Sequence, residues 1–275
     1  MVIFVIMKKL KHSLFLVVIL IFAACNSKEP EYDPKVKPIP TPLINYTIVN
    51  QYPHDTSAYT QGLLVYNGKL YEGTGDFETS SIKVTDIKTG RVEKKHMVGT
   101  AEIFGEGITI FKGKLYQLTW KNHIVYVYDV NNIDKPIQTL NWPYEGWGIT
   151  NNGTDLIISD GSSNLYFVNP ENFKVKTVIA VKEDAGPIDS LNELEYIDGF
   201  VYANVYQSDF IIKIDPSSGN AVGKMDLPGL KEKFFKDQVV PERTDVLNGI
   251  AYDSVTKIMY ITGKRWPKMF EVKLN

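Results

Sequence analysis

The chain has 275 residues, 44% of them hydrophobic and 12% aromatic, with 30 Lys and Arg against 32 Asp and Glu for a formal net charge of -2. That is apolar material for one large core, and the balanced, interspersed charges exclude a phosphate-binding surface and with it a nucleic-acid partner. Cys25 is the one cysteine, so the domain beyond it has no disulfide, no thiol nucleophile and no thiolate metal site.

At the amino end, MKKLKH (residues 7–12) is basic, SLFLVVILIFAA (13–24) is apolar and Cys25 follows at once, which reads as an export signal over residues 1–24 with Met7 as its start. The apolar run of about 12 residues is shorter than the ~20 that a membrane-spanning helix needs. FAAC resembles a bacterial lipobox, with Phe22 where leucine is usual. The resemblance implies a lipid on Cys25, a cell-envelope location facing periplasm or exterior, and membrane contact through that anchor alone. Residues 26–42, NSKEPEYDPKVKPIPTP, are rich in proline and charge and suit a semi-extended tether. Cys25 and this tether fill residues 25–42, and residues 43–275 form one domain, expected to act as a monomer.

From there the chain repeats. An apolar strand opens each unit: QGLLVY from Gln61, EGITIF from Glu106, WGIT from Trp147, NELEYI from Asn192 and NGIAY from Asn248. A tight turn and a second strand follow, as in NGKLYEGTG, KGKLYQLTW, NGTDLIISD, DGFVYANVY and DSVTKIMYITGK; Asn-Gly and Asp-Gly supply the positive φ of a two-residue hairpin. Third strands (SIKVTD, IVYVYD, LYFVN, FIIKID, MFEVKL) lead through turns such as IKTG and PSSG to a fourth. Four strands per unit, at intervals of about 41 to 56 residues, predict an all-β, five-bladed propeller of four-stranded antiparallel blades rather than a sandwich. The last unit stops at FEVKLN without a fourth strand, whereas INYTIVNQY (44–52) has strand composition and no partner. The amino-terminal strand is therefore expected to complete the last blade and close the ring.

Equivalent positions of a propeller share radius and height, so the residues opening the first strands, Gln61, Glu106, Trp147, Asn192 and Asn248, converge on one mouth of the central channel. Second strands run back to that mouth, and the matching column is Gly75, Trp120, Asp160, Tyr206 and Lys264. The two columns build a cup of amides, carboxylate, ammonium and aromatic rings. A carboxylate beside indole in a concave site has its pKa raised by desolvation, which suits acid–base work near neutral pH.

The stretches YPHDTSAYTQGL, FGEGI, LTWKN, EGWGIT, LNELEY, NVYQSD and ITGKRWP, in this order, resemble the plant and bacterial type of glutaminyl-peptide cyclotransferase, over essentially the whole chain after the tether. The resemblance implies a five-bladed propeller that converts an amino-terminal glutaminyl residue into pyroglutamate with loss of ammonia. The family's active-site positions fall on Gln61, Phe104, Glu106, Trp120, Trp147, Asn192 and Lys264; Tyr206 stands where a tryptophan is common. The implied roles are Glu106 as proton relay, Gln61, Asn192, Lys264 and the Trp147 indole N–H as donors to oxyanion or carbonyls, and Tyr59, Phe104, Trp120 and Tyr206 as walls of the slot. The partner is a peptide or protein with amino-terminal Gln, and no cofactor or metal is called for.

Two other readings use the same cup. Glu106, Asp160, Asn192 and Asn248 form an oxygen set for a calcium-like ion in a lactonase-like propeller, and a non-catalytic propeller would display the mouth as a binding surface. There is no G-x-S-x-G elbow, phosphate-binding glycine loop or H-E-x-x-H. Of the scattered histidines, His12, His54, His96 and His123, His54 in YPHD reads as a turn or loop hydrogen-bonder.

Overall fold

The computed structural model describes residues 39–235 and 244–275; the export signal, Cys25 and the tether as far as residue 38 lie outside the described residues. Five four-stranded antiparallel sheets follow one another along the chain. Blade 1 is Thr60–Tyr66, Lys69–Thr74, Ser81–Thr85 and Val92–Met97, and blade 2 is Gly105–Phe111, Lys114–Thr119, Ile124–Asp129 and Gln138–Asn141. Blade 3 is Ile149–Asn151, Leu156–Ser159, Asn164–Val168 and Val175–Ala180, and blade 4 is Leu191–Ile197, Phe200–Val205, Phe210–Ile214 and Ala221–Asp226. Blade 5 takes Leu247–Asp253, Ile258–Gly263 and Lys268–Leu274 from the end of the chain. Its outer strand is Tyr46–Pro53, paired antiparallel with Lys268–Leu274 from Tyr46↔Leu274 to Pro53↔Lys268. The inner strands of blades 5 and 1 pack together as the other inner strands do, so the ring closes.

The turns explain why the period is legible. Asn67-Gly68 (φ 50° and 71°) and Asp198-Gly199 (47° and 92°) both hold positive φ at the two central positions that a hairpin matching the strand twist requires. Burial falls from axis to rim: GEGITIF of blade 2 is almost wholly buried and QTLN at its edge is mostly exposed. The apolar side chains that result fill one cluster per blade interface. Leu64, Ile82 and Ile108 join blades 1 and 2, Trp142, Tyr116 and Leu156 join 2 and 3, Ile157, Leu191 and Val201 join 3 and 4, Met225, Ile250 and Phe270 join 4 and 5, and Leu63, Ala251 and Met269 join 5 and 1.

One departure from the sequence reading concerns the amino-terminal side. Ile39–Pro42, read as the end of a tether, are fastened to the body: Ile39 N–H donates to Asp184 (3.0 Å), Thr41 Oγ1 to Glu183 (2.8 Å), and Lys224 N–H to the Pro42 carbonyl (2.8 Å). Leu43 bridges in parallel to Lys224 of blade 4's edge strand before the chain crosses to blade 5. His54 is a loop hydrogen-bonder, as expected: its side chain is buried, with one ring nitrogen 2.7 Å from the Trp266 carbonyl and the other 3.0 Å from the Glu72 carboxylate. Lys83 stands 3.9 Å from Glu72 and 2.7 Å from Asp55. This cluster fastens the 54–59 loop, which carries Tyr59, to blade 1.

Candidate active site

The inner strands do not enter the mouth straight. In blade 1 the ladder steps from Thr60↔Thr74 to Gly62↔Gly73, leaving Gln61 unpaired. In blade 2 it steps from Gly105↔Thr119 to Ile108↔Gln117, across Glu106 and Gly107. Blades 4 and 5 carry the same irregularity at Asn192-Glu193 and Asn248-Gly249. A bulge inserts a residue that the ladder does not hold and re-aims its side chain; here the re-aimed group is each time polar. The glycine after Glu106 has a separate reason: its N–H donates to the Trp147 carbonyl (2.9 Å), and a Cβ on Gly107 would come 2.6 Å from that oxygen. Glu106 thus sits between glycines because the backbone bulges there and touches the neighbouring blade.

At the mouth lies a cavity of about 360 Å³, a volume within the range of small-ligand sites. Its lining brings together Gln61, Glu106, Trp147, Asn192, Lys264, Tyr59, Phe104, Trp120 and Tyr206, with Asp76 in addition; Gly75, Asp160 and Asn248, also expected at the cup, do not line it. Phe104 meets Tyr59 and Trp120 edge-on at 6.2 and 5.7 Å between ring centroids, and Trp147 meets Tyr206 likewise at 5.7 Å. Gly75 clears the space for this wall, since a Cβ there would stand 2.3 Å from the Phe104 ring.

On the floor, Glu106 is 5% exposed and Lys264 1%. They are joined through an amide: Lys264 Nζ donates to Gln61 Oε1 and to the Thr60 carbonyl (2.9 Å), and Gln61 Nε2 donates to Glu106 Oε1 (3.2 Å). Burial pushes the Glu106 carboxyl well above the usual carboxylate range, with the Lys264 charge opposing and the Glu145 charge reinforcing it. Burial also pulls Lys264 down to about 8, while Glu106, Asp245 and Glu193 restrain the fall. The Asn192 side-chain oxygen is buried and has no hydrogen-bond partner among the described residues. A buried acceptor left open costs free energy unless a ligand or water fills it.

Three expectations are corrected. Asp160 is not part of the lining; it accepts from Ser162 N–H (3.0 Å), Ser162 Oγ (2.5 Å) and Tyr166 OH (2.8 Å), a local turn that draws it off the mouth. Asn248 is buried away from the cavity and donates to the Thr60 carbonyl (2.8 Å), stapling blade 5 to blade 1. The Trp147 indole N–H is not free for an oxyanion, because it donates to Glu145 Oε2 at 3.1 Å.

Glu145 is the functional neighbour that sequence reasoning missed. The same oxygen accepts from the Trp120 indole at 2.8 Å, so one carboxylate fixes both rings, and Lys121 lies 3.5 Å from its other oxygen. Burial acts to raise its pKa, but the two indole bonds and Lys121 outweigh that and hold it below the usual carboxylate value. A carboxylate two residues before the loop tryptophan in EGWG was the available signal. On the opposite rim, Tyr59 OH donates to Asp245 (3.1 Å), and Arg265 pairs with Asp76 and lies over the Tyr59 ring, 5.1 Å from its centroid.

A family model described as glutamine cyclotransferase matches residues 16–274. The chain is 39% identical over 229 residues to a glutaminyl-peptide cyclotransferase of Arabidopsis thaliana, covering 83% of this chain and 71% of that protein. It is similar to the crystal structure of Myxococcus xanthus glutaminyl cyclase, with a TM-score of 0.78 and 32% identity over 86% of this chain and 99% of that one. A five-bladed propeller with a buried carboxylate in an aromatic mouth, matched along nearly its whole length by these sequences, belongs to the glutamine cyclotransferase family of enzymes.

Proposed function

We propose that the cavity binds the amino-terminal glutaminyl residue of a peptide or protein and closes it to pyroglutamate, releasing ammonia, with Glu106 carrying the proton. The observation that carries this reading is the placement of Glu106: a buried carboxyl on the floor of an aromatic slot, accepting from the Gln61 amide, in a cavity also lined by Asn192 with its open acceptor. The substrate's α-amine nitrogen attacks its own side-chain amide carbon, forming the lactam C–N bond. The amine proton passes to Glu106, and the carbonyl electrons move onto oxygen. When the carbonyl re-forms, the C–N bond to the side-chain nitrogen breaks and Glu106 returns the proton to it, so that ammonia leaves and the carboxylate is restored. Lys264 Nζ and the amide N–H groups of Gln61 and Asn192 are the donors within the lining that can stabilise the oxyanion. Trp120 and Trp147 hold the flexible side chain in its ring-closing conformation, an orientation effect.

Only protein groups act in this scheme. In support, two of the calcium-like oxygen set lie off the cavity: Asp160 accepts three hydrogen bonds in its own turn, and Asn248 does not line the mouth. The purified domain incubated with Gln-X peptides is expected to release ammonia with the matching mass loss, at a rate unchanged by exhaustive chelation. Inertness towards every such peptide would defeat the reading, and loss of activity in chelator would defeat the metal-free mechanism.

The pH profile follows from the two buried charges. Glu106 must be ionised to accept the proton, and burial holds its pKa well above the usual carboxylate range. Activity is therefore lost on acidification at a pH where a free glutamate is still ionised. Lys264 must be protonated to donate, so activity falls again as pH rises through about 8. The expected profile is a bell whose acid limb lies above that of a free glutamate, and a profile without that limb, or without a fall through about 8, would contradict the assignment. The lipid anchor on Cys25 and the envelope location stand as part of this proposal, supported by the FAAC motif; mass spectrometry of the mature amino terminus tests them.

A further inference from the structure

The aromatic wall of the cavity does not stop at its rim. Phe104 meets Phe77 edge-on at 5.3 Å between centroids, and Phe77, next in sequence to the lining residue Asp76, is 46% exposed. A large apolar side chain left half in water costs free energy, and here the backbone is held so as to present it. Asp76 (φ 93°) and Glu78 (φ 64°), on either side of Phe77, both occupy the left-handed region that non-glycine residues seldom adopt. The loop is braced by Ser80 N–H to the Asp76 carbonyl (3.0 Å), Glu78 N–H to the Thr100 carbonyl (2.9 Å) and the Arg265–Asp76 ion pair reaching across from blade 5.

We propose that Phe77 is a specificity-determining residue: it forms the subsite for the side chain of the second residue of the substrate and selects apolar or aromatic groups there. The inference rests on the cyclisation reading. In that reaction the α-amine and side chain of the glutaminyl residue both point to Glu106, which leaves the main-chain carbonyl as the group directed out of the slot. Residue two must then lie on the rim. Along the rim, Asp76 and Arg265 are paired with each other, Lys121 and Glu145 with each other, and Phe77 is the apolar surface continuous with the Phe104 wall.

The test compares Gln-Phe-amide with Gln-Gly-amide on the wild-type protein and on Phe77→Ala and Phe77→Leu. The wild type is expected to favour Gln-Phe-amide in kcat/KM by about tenfold, the scale of one aromatic contact. The preference should arise in KM, as for a contact made equally in ground and transition states. Phe77→Ala should reduce it to about twofold or less while Gln-Gly-amide turns over as before, and Phe77→Leu should recover most of it. A wild type without the preference, or an alanine variant that keeps it, overturns the subsite while leaving cyclisation standing. Absence of ammonia from both peptides overturns the cyclisation reading itself, and the subsite with it.

Discussion

Replacing Glu106 with glutamine gives a folded protein whose turnover of amino-terminal glutaminyl peptides falls by at least about 10²–10⁴-fold, the loss typical of removing a general acid–base. The change is nearly isosteric and keeps a partner for Gln61 Nε2, but removes the proton acceptor. Substrate binding persists, because the aromatic walls are untouched. The stability sign differs from that of a structural carboxylate. A buried carboxyl whose pKa is raised by folding disfavours the native state once pH exceeds its unfolded value, so the variant is at least as stable as the parent at neutral and alkaline pH. Asp160→Asn is the control: it changes a carboxylate that the structure places in a turn outside the cavity, and turnover stays near normal. Measured together, turnover and thermal unfolding separate the possibilities. A folded Glu106→Gln enzyme with nearly normal turnover refutes the relay, and a variant that loses stability in proportion to activity marks Glu106 as structural.

Deleting residues 43–52 abolishes folding of the domain. The excised segment contains nearly all of Tyr46–Pro53, so blade 5 loses its outer strand, and Lys268–Leu274 is left with an open edge. Packing is lost with it: Ile44, Tyr46 and Ile48 cover the cluster that contains Trp266 and Phe270, and Tyr52 covers the one that contains Leu63 and Met269. A shorter deletion, residues 26–38, spares Ile39 and its hydrogen bond to Asp184 and leaves folding and activity intact. The boundary lies at 38 rather than 42 because Ile39–Pro42 are hydrogen-bonded to the body. A cooperatively melting, active product after the longer deletion would overturn the closure argument; circular dichroism and the peptide assay decide it.

The fold was legible because a propeller writes its architecture in a period. Hairpin dipeptides, apolar inner strands and the missing fourth strand of the last unit all recur or fail at fixed places, and each has a local physical cause. The cup was legible for the same reason, since equivalent positions converge on the axis. What the period could not supply was the direction of side chains outside the ladder. Asp160 was put at the rim by counting along a strand, yet it falls one residue beyond the strand Leu156–Ser159 and folds back on its own turn. Glu145 lies in a connection between blades, where no register links it to another repeat, so that while its bond to Trp147 is local, its bond to Trp120, far back in the chain, is set by tertiary structure. Asp76 and Arg265, from blades 1 and 5, meet only when the ring is closed.

Closure also bears on where the chain is cut. Lys268–Leu274 runs antiparallel to Tyr46–Pro53, Tyr46 stands opposite Leu274, and Asn275 N–H donates to the Asn45 carbonyl at 3.0 Å. A short turn in place of that gap would make blade 5 an unbroken meander like the other four, so the seam is a nick in a hairpin of a cyclic design. Circular permutants therefore fall into two kinds. Reopening within any other outer hairpin keeps one blade shared between the two ends and preserves the topological latch. Reopening in a connection between blades yields five complete sheets whose ring is held by apolar packing across the seam with no strand crossing it. The site, built from five blades that converge on one axis, would then become the first part of the molecule to feel the loosened ring.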